Sequence, residues 1–391
     1  MAPRREVWQD GRYVSVPTPS RRRQTGLGRA ACGALALFAL SVSRPVGAEN
    51  RVASNLSLYS DDDHTDVITS VTRASADPWE GGTLEASYLI DIISSASIDV
   101  VSSATDRFDE NRQALGLGAR HDFGGKTLSL NYGYSHEPDY DGHGVGLGYD
   151  MELAERNATL GLSYALEVSK IGRSADPNFS RDLLTHALDL KGSQIVTPWL
   201  LTDFGYSLGV QDGYTAKPYR YARIGAVLPG DGGLTGISAV PEQHPDLRLR
   251  HALYGGVKAH LFAESAVEGR YRLYLDSWGL NGHTVELLGH LGWSKSFGAR
   301  LRYRFYWQNG ARFWQFQYDE PREFMTRDRE LSPLSAHMVG LKVFGRIEEF
   351  WVFKALQLTA KVDGFRYSYR KFPLLPNRMG FVAESGVEVV F

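Results

Sequence analysis

From about residue 52 to the last residue, apolar and polar side chains alternate with a period of two. Residues 299–308 show it most clearly. Ala299, Leu301, Tyr303, Phe305 and Trp307 fall on one face of an extended chain, and Arg300, Arg302, Arg304, Tyr306 and Gln308 fall on the other. A helix would scatter these arginines around its cylinder, whereas a strand lines them up on one side. Leu128, Leu130, Tyr132 and Tyr134 repeat the alternation, as do Leu160, Leu162, Tyr164 and Leu166, and then Phe204, Tyr206 and Leu208. Val267, Tyr271, Leu273 and Leu275 follow, then Val285, Leu287, Leu291 and Trp293. The pattern predicts an all-β chain.

Soluble sandwiches alternate too. Three features favour a membrane barrel instead. Segments of about ten residues match a tilted bilayer crossing, and aromatic residues gather near the segment ends. The polar face is rich in Gly, Ser, Asn and charge, which suits a wet lumen. Short turns are expected at Asp77–Gly82, Asp122–Lys126, Ala154–Asn157, Thr197–Trp199, Phe262–Ser265, Ser296–Gly298 and Ile347–Trp351. Longer links fall between them, at Asp61–Thr65, Asp91–Asp109, Glu137–Asp141, Ser169–Arg181, Gln211–Leu247, Gly279–Gly282, Asn309–Ser332 and Lys371–Arg378. The alternation predicts an antiparallel up-and-down transmembrane barrel of about sixteen strands, with long loops outside and both termini periplasmic.

The first residues have a different pattern. Arg21, Arg22, Arg23 and Arg29 form a basic region, Ala30 to Val42 an apolar one, and Val46-Gly47-Ala48 a small-x-small cleavage site. This predicts a secretory signal peptide over 1–48, removed to leave a barrel over 49–391. Ser20-Arg21-Arg22 faintly suggests a twin-arginine signal, but that route carries folded proteins and barrel strands must arrive unfolded. The single cysteine, Cys32, lies in the apolar region, so the barrel has no disulfide, thiolate site or cysteine nucleophile.

Composition adds limits. Among 391 residues, 43% are hydrophobic and 23% charged, with net charge −2. No nucleic-acid partner is implied, and no apolar run is long enough for a membrane helix. The chain ends on Phe391, which shares a face with Phe381, Ala383, Val387 and Val389. A closing strand ending on phenylalanine resembles the signal read by the bacterial barrel-assembly machinery, an expected partner beside outer-membrane lipid.

Several stretches resemble a family of uncharacterised outer-membrane barrels, domain of unknown function 3570. They are Tyr88 to Asp99, Ala104-Thr105, Pro241 to Arg248, Tyr271 to Trp278 and Tyr303 to Gln308. The resemblance covers most of the barrel and departs from the family at Ser95, where a glycine is usual. It implies an outer-membrane barrel and supplies no catalytic residues.

Candidate chemistry is sparse, and no cofactor is expected. Asp61, Asp62, Asp63, His64 and Asp66 could offer oxygens to a hard cation, although their spacing matches no defined loop. His136, Asp139, Asp141 and His143 could serve zinc. Ser94, Ser95, Ser97, Ser102 and Ser103, with Asp91, Asp99 and Asp106, could suggest a hydrolase, but no Gly-x-Ser-x-Gly elbow is present. Loop Gln211–Leu247 opens with Lys217, Tyr219, Arg220, Tyr221 and Arg223 and could fold inward to narrow a pore. Gly230, Gly232 and Gly233 read as a flexible turn.

The lumen carries the sharpest expectation. With polar faces inward, Glu85, Asp150, Glu167, Asp189 and Asp203 build an acidic wall. Arg248, Arg250, Lys258, Arg270, Arg272, Arg300, Arg302 and Arg304 build a basic one, tempered by Glu268, Asp276 and Glu286. Burying so many charges in a dry core would cost several kcal/mol each, which a water-filled barrel avoids. The expected function is a non-enzymatic passive pore or channel for small polar solutes. The alternatives are a structural or assembly partner of surface or periplasmic proteins and, third, a membrane-embedded hydrolase.

Overall fold

The computed structural model describes residues 4–9, 12–17, 49–95, 108–173, 176–225, 238–294 and 296–391. Sixteen antiparallel strands close into one barrel, each paired with its neighbours in sequence and the last with the first. The strands are β1 (Arg51–Asp61), β2 (Thr65–Trp79), β3 (Gly82–Ser95) and β4 (Phe108–Asp122). Next come β5 (Lys126–Glu137), β6 (Tyr140–Leu153), β7 (Ala158–Ile171) and β8 (Arg181–Thr197). They continue with β9 (Leu200–Gly213), β10 (Leu247–Phe262), β11 (Ser265–Asp276) and β12 (Asn281–Ser294). The last are β13 (Phe297–Gln308), β14 (Leu334–Phe350), β15 (Phe353–Tyr369) and β16 (Asn377–Val390). Arg4–Gln9 and Arg12–Pro17 pair as a separate ribbon. The expected apolar signal region and cleavage site lie outside the described residues.

Strands run from 11 to 17 residues, longer than the ten expected. Their extra length stands beyond the apolar band. Every turn on the side of the chain ends is short, and left-handed conformers close several: Gly81 at φ 72° and the run Ala154, Glu155 and Arg156 at φ 50°, 55° and 71°. On the opposite side the long-link expectation fails three times, once at Gly279–Gly282, where β11 ends at Asp276 and β12 starts at Asn281, a link as short as the β6–β7 turn. The links expected at Asp61–Thr65 and Glu137–Asp141 are tight turns, because β1 ends at Asp61 with β2 starting at Thr65, and β5 ends at Glu137 with β6 starting at Tyr140. Polar residues there continue the ladder instead of looping out: Glu137 pairs with Tyr140, and His136 with Asp141.

The apolar face points outward. Leu130, Leu147, Leu287, Leu301 and Val339 are between 51% and 63% exposed. From Phe297 to Trp307 along β13 this face spans about 25 Å at ordinary strand rise and tilt, the thickness of a barrel's lipid band. Trp79, Phe123, Trp199, Phe262, Trp293 and Trp351 stand exposed at every short turn but the β6–β7 one and form an aromatic rim. Among the described residues no helix is long and apolar enough to cross a membrane.

One repeated feature of the outer face is not apolar. Tyr132 bonds His143 at 2.9 Å, Tyr164 His186 at 2.7 Å, Tyr206 His251 at 2.8 Å, Tyr271 His283 at 2.7 Å and Tyr303 His337 at 2.9 Å. Tyr88 and Gln113 make the equivalent bond at 2.7 Å. Each pair uses the same diagonal: the histidine or glutamine faces the residue two beyond the tyrosine, as His283 faces Leu273. From hairpin to hairpin the register also steps equally. Tyr132 faces Val145, which faces Leu166, two beyond Tyr164; Tyr271 faces Val285, which faces Phe305, two beyond Tyr303. Strand tilt turns that constant step into a level ring. At the ring's height in the remaining hairpins stand Val362 with Phe381 and Leu56 with Ile68.

Candidate functional site: the lumen and its cap

All the predicted wall residues alternate with outward apolar neighbours, so they line the inner face. One contact fixes this direction. Arg302 on β13 reaches Asp363 on β15 at 3.7 Å, passing over Gly340 of the intervening β14. Strands two apart are separated by about 9.6 Å, and only on the concave side do their side chains converge. A Cβ on Gly340 would collide with the Asp363 carboxylate.

The basic side is less bare than its sequence implies, because a belt of ion pairs crosses it. Arg270 pairs with Glu268 and lies 4.0 Å from Glu286. Glu286 holds Arg302 at 2.7 Å, and beyond Asp363 the belt continues through Lys361 at 2.8 Å to Glu384 at 3.0 Å. His290 joins Glu268 at 3.0 Å. Arg248 is held by Asp276 at 2.6 Å and lies over Trp278 at 3.9 Å. Lys258, Arg250, Arg272, Arg300 and Arg304 have no ion pair among the described residues.

The acidic side is open. Asp150 pairs with Lys191 at 2.9 Å, a cation the sequence reading did not place on this wall. Glu167 accepts from Tyr140 at 2.6 Å, and Asp189 accepts from Ser207. Glu85 faces a cavity of about 400 Å³, and Asp150 and Asp203 face another of about 390 Å³, both toward the short-turn end. Gly116 and Gly118 line the first of these cavities and Gly125 the second, and the same wall carries further glycines. Around Gly133 an added Cβ would meet nothing within 4 Å, and around Gly146 nothing nearer than 3.8 Å.

At the other end the long loops fold together as a cap. Trp278, Leu280, Ala311, Trp314, Leu331, Leu334, Tyr369 and Phe372 make its apolar core. Loop 214–246 carries a small hairpin, Tyr221–Ile224 with Ser238–Pro241. It lies against loop 309–333 through backbone bonds from Tyr318 to Arg223 at 2.9 Å and from Met325 to Gln243 at 2.8 Å. Buried Glu242 accepts from the Arg327 amide at 2.7 Å and the Thr326 hydroxyl at 2.9 Å. The Tyr318 hydroxyl donates to Phe313 at 2.5 Å and accepts from Thr326 at 2.8 Å, and burial pushes it up to about 12.

The cap is tied to the rim at more than one turn. The turn Arg329–Leu331 sends Arg329 to Asp63 in the β1–β2 turn. Tyr219 reaches Asp139 in the β5–β6 turn, and Arg173 donates to Pro218 at 2.8 Å. Lys217 and Arg220 meet Asp328 at 2.9 and 3.5 Å. Burial alone would raise the Asp328 carboxyl; Arg220 and Lys217 outweigh it and hold the group well below the usual carboxylate range. The expected inward folding of the basic-aromatic segment 217–223 is thus found as cap packing, while Gly230, Gly232 and Gly233 lie outside the described residues.

The acidic turn is an anchor. Asp61 accepts from the amides of Asp63 and Thr65 at 3.0 and 3.1 Å, and Asp62 accepts from the Met379 amide at 2.8 Å. His136 bonds Asp141 at 2.7 Å. Among the described residues no group of three or more His, Cys, Asp or Glu could hold a metal ion, so neither Asp61, Asp62, Asp63, His64 and Asp66 nor the His136 group converges as one. Ser94 and Ser95 end β3; Ser97, Ser102, Ser103, Asp99 and Asp106 lie outside the described residues. Phe391 follows β16 directly: its amide donates to Asn50 at 2.9 Å and its ring packs edge-on against Phe353.

A closed antiparallel barrel with an apolar outer band and a charged inner face is a transmembrane β-barrel of the outer-membrane type. Residues 179–371 match the model of a family described as protein of unknown function (DUF3570), the family that the sequence resembles. The stretches Tyr88 to Asp99 and Ala104-Thr105 lie outside that match. No curated protein matches the chain. Among solved structures it is similar to the siderophore receptor PirA from Pseudomonas aeruginosa (10% identity, TM-score 0.43, covering 81% of this chain and 56% of that one). It is also similar to CdiB from Acinetobacter baumannii (9%, 0.48, 88% and 60%). The outer membrane protein opdK from Pseudomonas aeruginosa is a further likeness (9%, 0.44, 89% and 100%). The chain thus spans little more than half of the PirA and CdiB structures.

Proposed function

We propose that this chain is a passive pore of the bacterial outer membrane for small polar solutes, with both chain ends and the short turns in the periplasm and the cap outside. The glycine-rich wall opposite the charged belt supports this reading most directly: Gly133 faces open space, Gly146 meets nothing nearer than 3.8 Å, and cavities of about 400 and 390 Å³ lie beside Glu85 and beside Asp150 and Asp203. A barrel meant to be solid would place side chains there. Opposed acidic and basic walls would orient dipolar solutes in transit. In this reading lipid surrounds the outer face, the barrel-assembly machinery meets the last strand at Phe391, and neither cofactor, nucleic acid nor catalysis has a part.

The test is single-channel conductance of the refolded chain in planar bilayers. Discrete steps that shrink when Gly146→Trp fills the wall are expected, and a silent bilayer overturns the proposal. One observation favours a second reading. The cap is bonded to the rim at the β1–β2 and β5–β6 turns, which would suit a closed barrel serving as a structural or assembly partner for surface or periplasmic proteins. That reading gains if conductance is absent.

A further inference from the structure

The ring of tyrosine–histidine bonds on the outer face changes character at one place. Four of its histidines face an apolar residue on the following strand: His143 faces Val168, His186 Val210, His251 Leu275 and His283 Trp307. His337 on β14 faces Arg366 on β15 instead, and both side chains are exposed. Residues directly opposed on neighbouring strands hold their Cβ atoms about 5 Å apart, close enough for one small group to touch both.

Both side chains keep donors to spare. The Asn377 side-chain oxygen accepts from Arg366 at 3.2 Å and from Ser368 at 2.9 Å. Arg366 makes no ion pair among the described residues, and the carboxylate of Asp62 in the β1–β2 turn is taken by the Met379 amide at 2.8 Å. Tyr303 occupies Nδ1 of His337 at 2.9 Å, which leaves Nε2 to the outside. A ring that accepts from the Tyr303 hydroxyl carries its proton on Nε2, and a charged ring carries one there too, so in both forms Nε2 donates.

Their height decides what meets them. Phe305, opposite His337, stands about 20 Å above Phe297 at the aromatic rim, near the cap-side edge of a lipid band about 25 Å tall. Exposed Val339 and Phe381 continue the apolar surface on the rim side, and Ser335, Ser368 and Asn377 begin a polar one on the cap side. A cation left alone at the edge of hydrocarbon is costly, and lipid phosphates are the anions at that level. Guanidinium groups bind phosphate with paired, charge-assisted hydrogen bonds.

We infer that His337 and Arg366 bind the phosphate headgroup of an anionic lipid in the cap-side leaflet, with its acyl chains along Val339 and Phe381. The inference rests on the outer face meeting lipid and is independent of conduction.

The experiment is native mass spectrometry of the refolded full chain in neutral detergent, titrated with dilauroyl phosphatidic acid, dilauroyl phosphatidylcholine or inorganic phosphate. Retention of one phosphatidic acid is expected, about tenfold tighter than phosphatidylcholine and weakened about tenfold by Arg366→Gln or His337→Phe, the loss of one charge-assisted contact. His186→Phe, which removes a ring histidine facing Val210, should leave retention unchanged, and heat-modifiable migration should show each variant folded. Equal retention of the two lipids, retention indifferent to Arg366→Gln and His337→Phe, or an equal loss from His186→Phe each overturns the inference. So does inorganic phosphate that displaces the lipid at comparable concentration, because the site would then take a free anion. A chain that inserts into vesicles without this lipid preference keeps its lipid-facing surface and loses the site; one that fails to insert loses both.

Discussion

Side chains one step of about 3.3 Å apart on a strand have opposite duties. Leu301 faces lipid and Arg302 faces its neighbours in the belt. Leu301→Arg places a cation in hydrocarbon, at roughly 2–4 kcal/mol near the midplane, and is expected to abolish insertion into vesicles, read as loss of heat-modifiable migration. From sequence alone Arg302→Glu would be tolerated in a wet lumen. The structure changes that expectation, because Arg302 sits between Glu286 and Asp363 and reversal would bring carboxylates together. Arg304→Gln is the change that should insert normally while shifting ion selectivity toward cations; selectivity unaltered by it would exclude Arg304 from the conducting path.

Asp328 gives a second prediction at this scale. Its carboxyl titrates lower in the folded cap than in an unfolded chain, so its contribution is present above the ordinary carboxylate range and is lost only as pH falls through the lowered value. The cap should therefore resist protease equally at pH 7 and pH 5. Asp328→Asn should loosen it at both, and cleavage that rises between pH 7 and pH 5 in the native chain would contradict the assignment.

Among elements, the hairpin is the repeating unit. Its sequence sign is a tyrosine on the rising strand and, two positions out of register, a histidine on the falling one. Alternation alone cannot show it, because the partners are joined only once the registers are known. Each bond pairs polar groups that otherwise face lipid, where an unmet hydrogen bond is costly. In a double-mutant cycle on Tyr271→Phe and His283→Phe, a coupling of about 0.5–1.5 kcal/mol is expected from urea unfolding in vesicles. Strict additivity would mean the ring contributes nothing to stability.

What was legible follows the same division. Period two in residues such as 299–308 revealed strands and faces, since lipid and lumen impose opposite polarity on neighbouring positions. Strand ends were less legible: Glu137 to Asp141 is polar enough to read as a loop, yet it forms a two-residue turn because hydrogen bonds continue to the tip. The belt was legible only as its separate charges. Glu286 and Arg302 are distant in sequence from Lys361 and Asp363, and the curved sheet brings them together across β14. The cap was visible as long loops, but not its joining of Glu242 to Thr326 or Arg329 to Asp63.

For the molecule as a whole, the proposed orientation rests on the asymmetry of its ends, tight aromatic turns on one side and a packed cap on the other. An epitope tag within 169–181 should be reached on intact cells, and one within 154–157 only after permeabilisation. The reverse labelling would invert the barrel.

The central claim is that the charged face meets water and the apolar face meets lipid. Residues 49–391 contain no cysteine, and with Cys32 replaced by serine the whole chain has none, so single thiols can be placed at will. Gly146 and Leu147 are adjacent on β6 and point to opposite faces; Leu147 is 54% exposed outward, and on the inner face a Cβ at Gly146 would meet nothing nearer than 3.8 Å. In vesicle-inserted protein, a charged, water-soluble maleimide is predicted to label Gly146→Cys rapidly and to leave Leu147→Cys unmodified. Labelling of Leu147→Cys with protection of Gly146→Cys would contradict the assignment of faces, and protection of both would contradict a water-filled lumen.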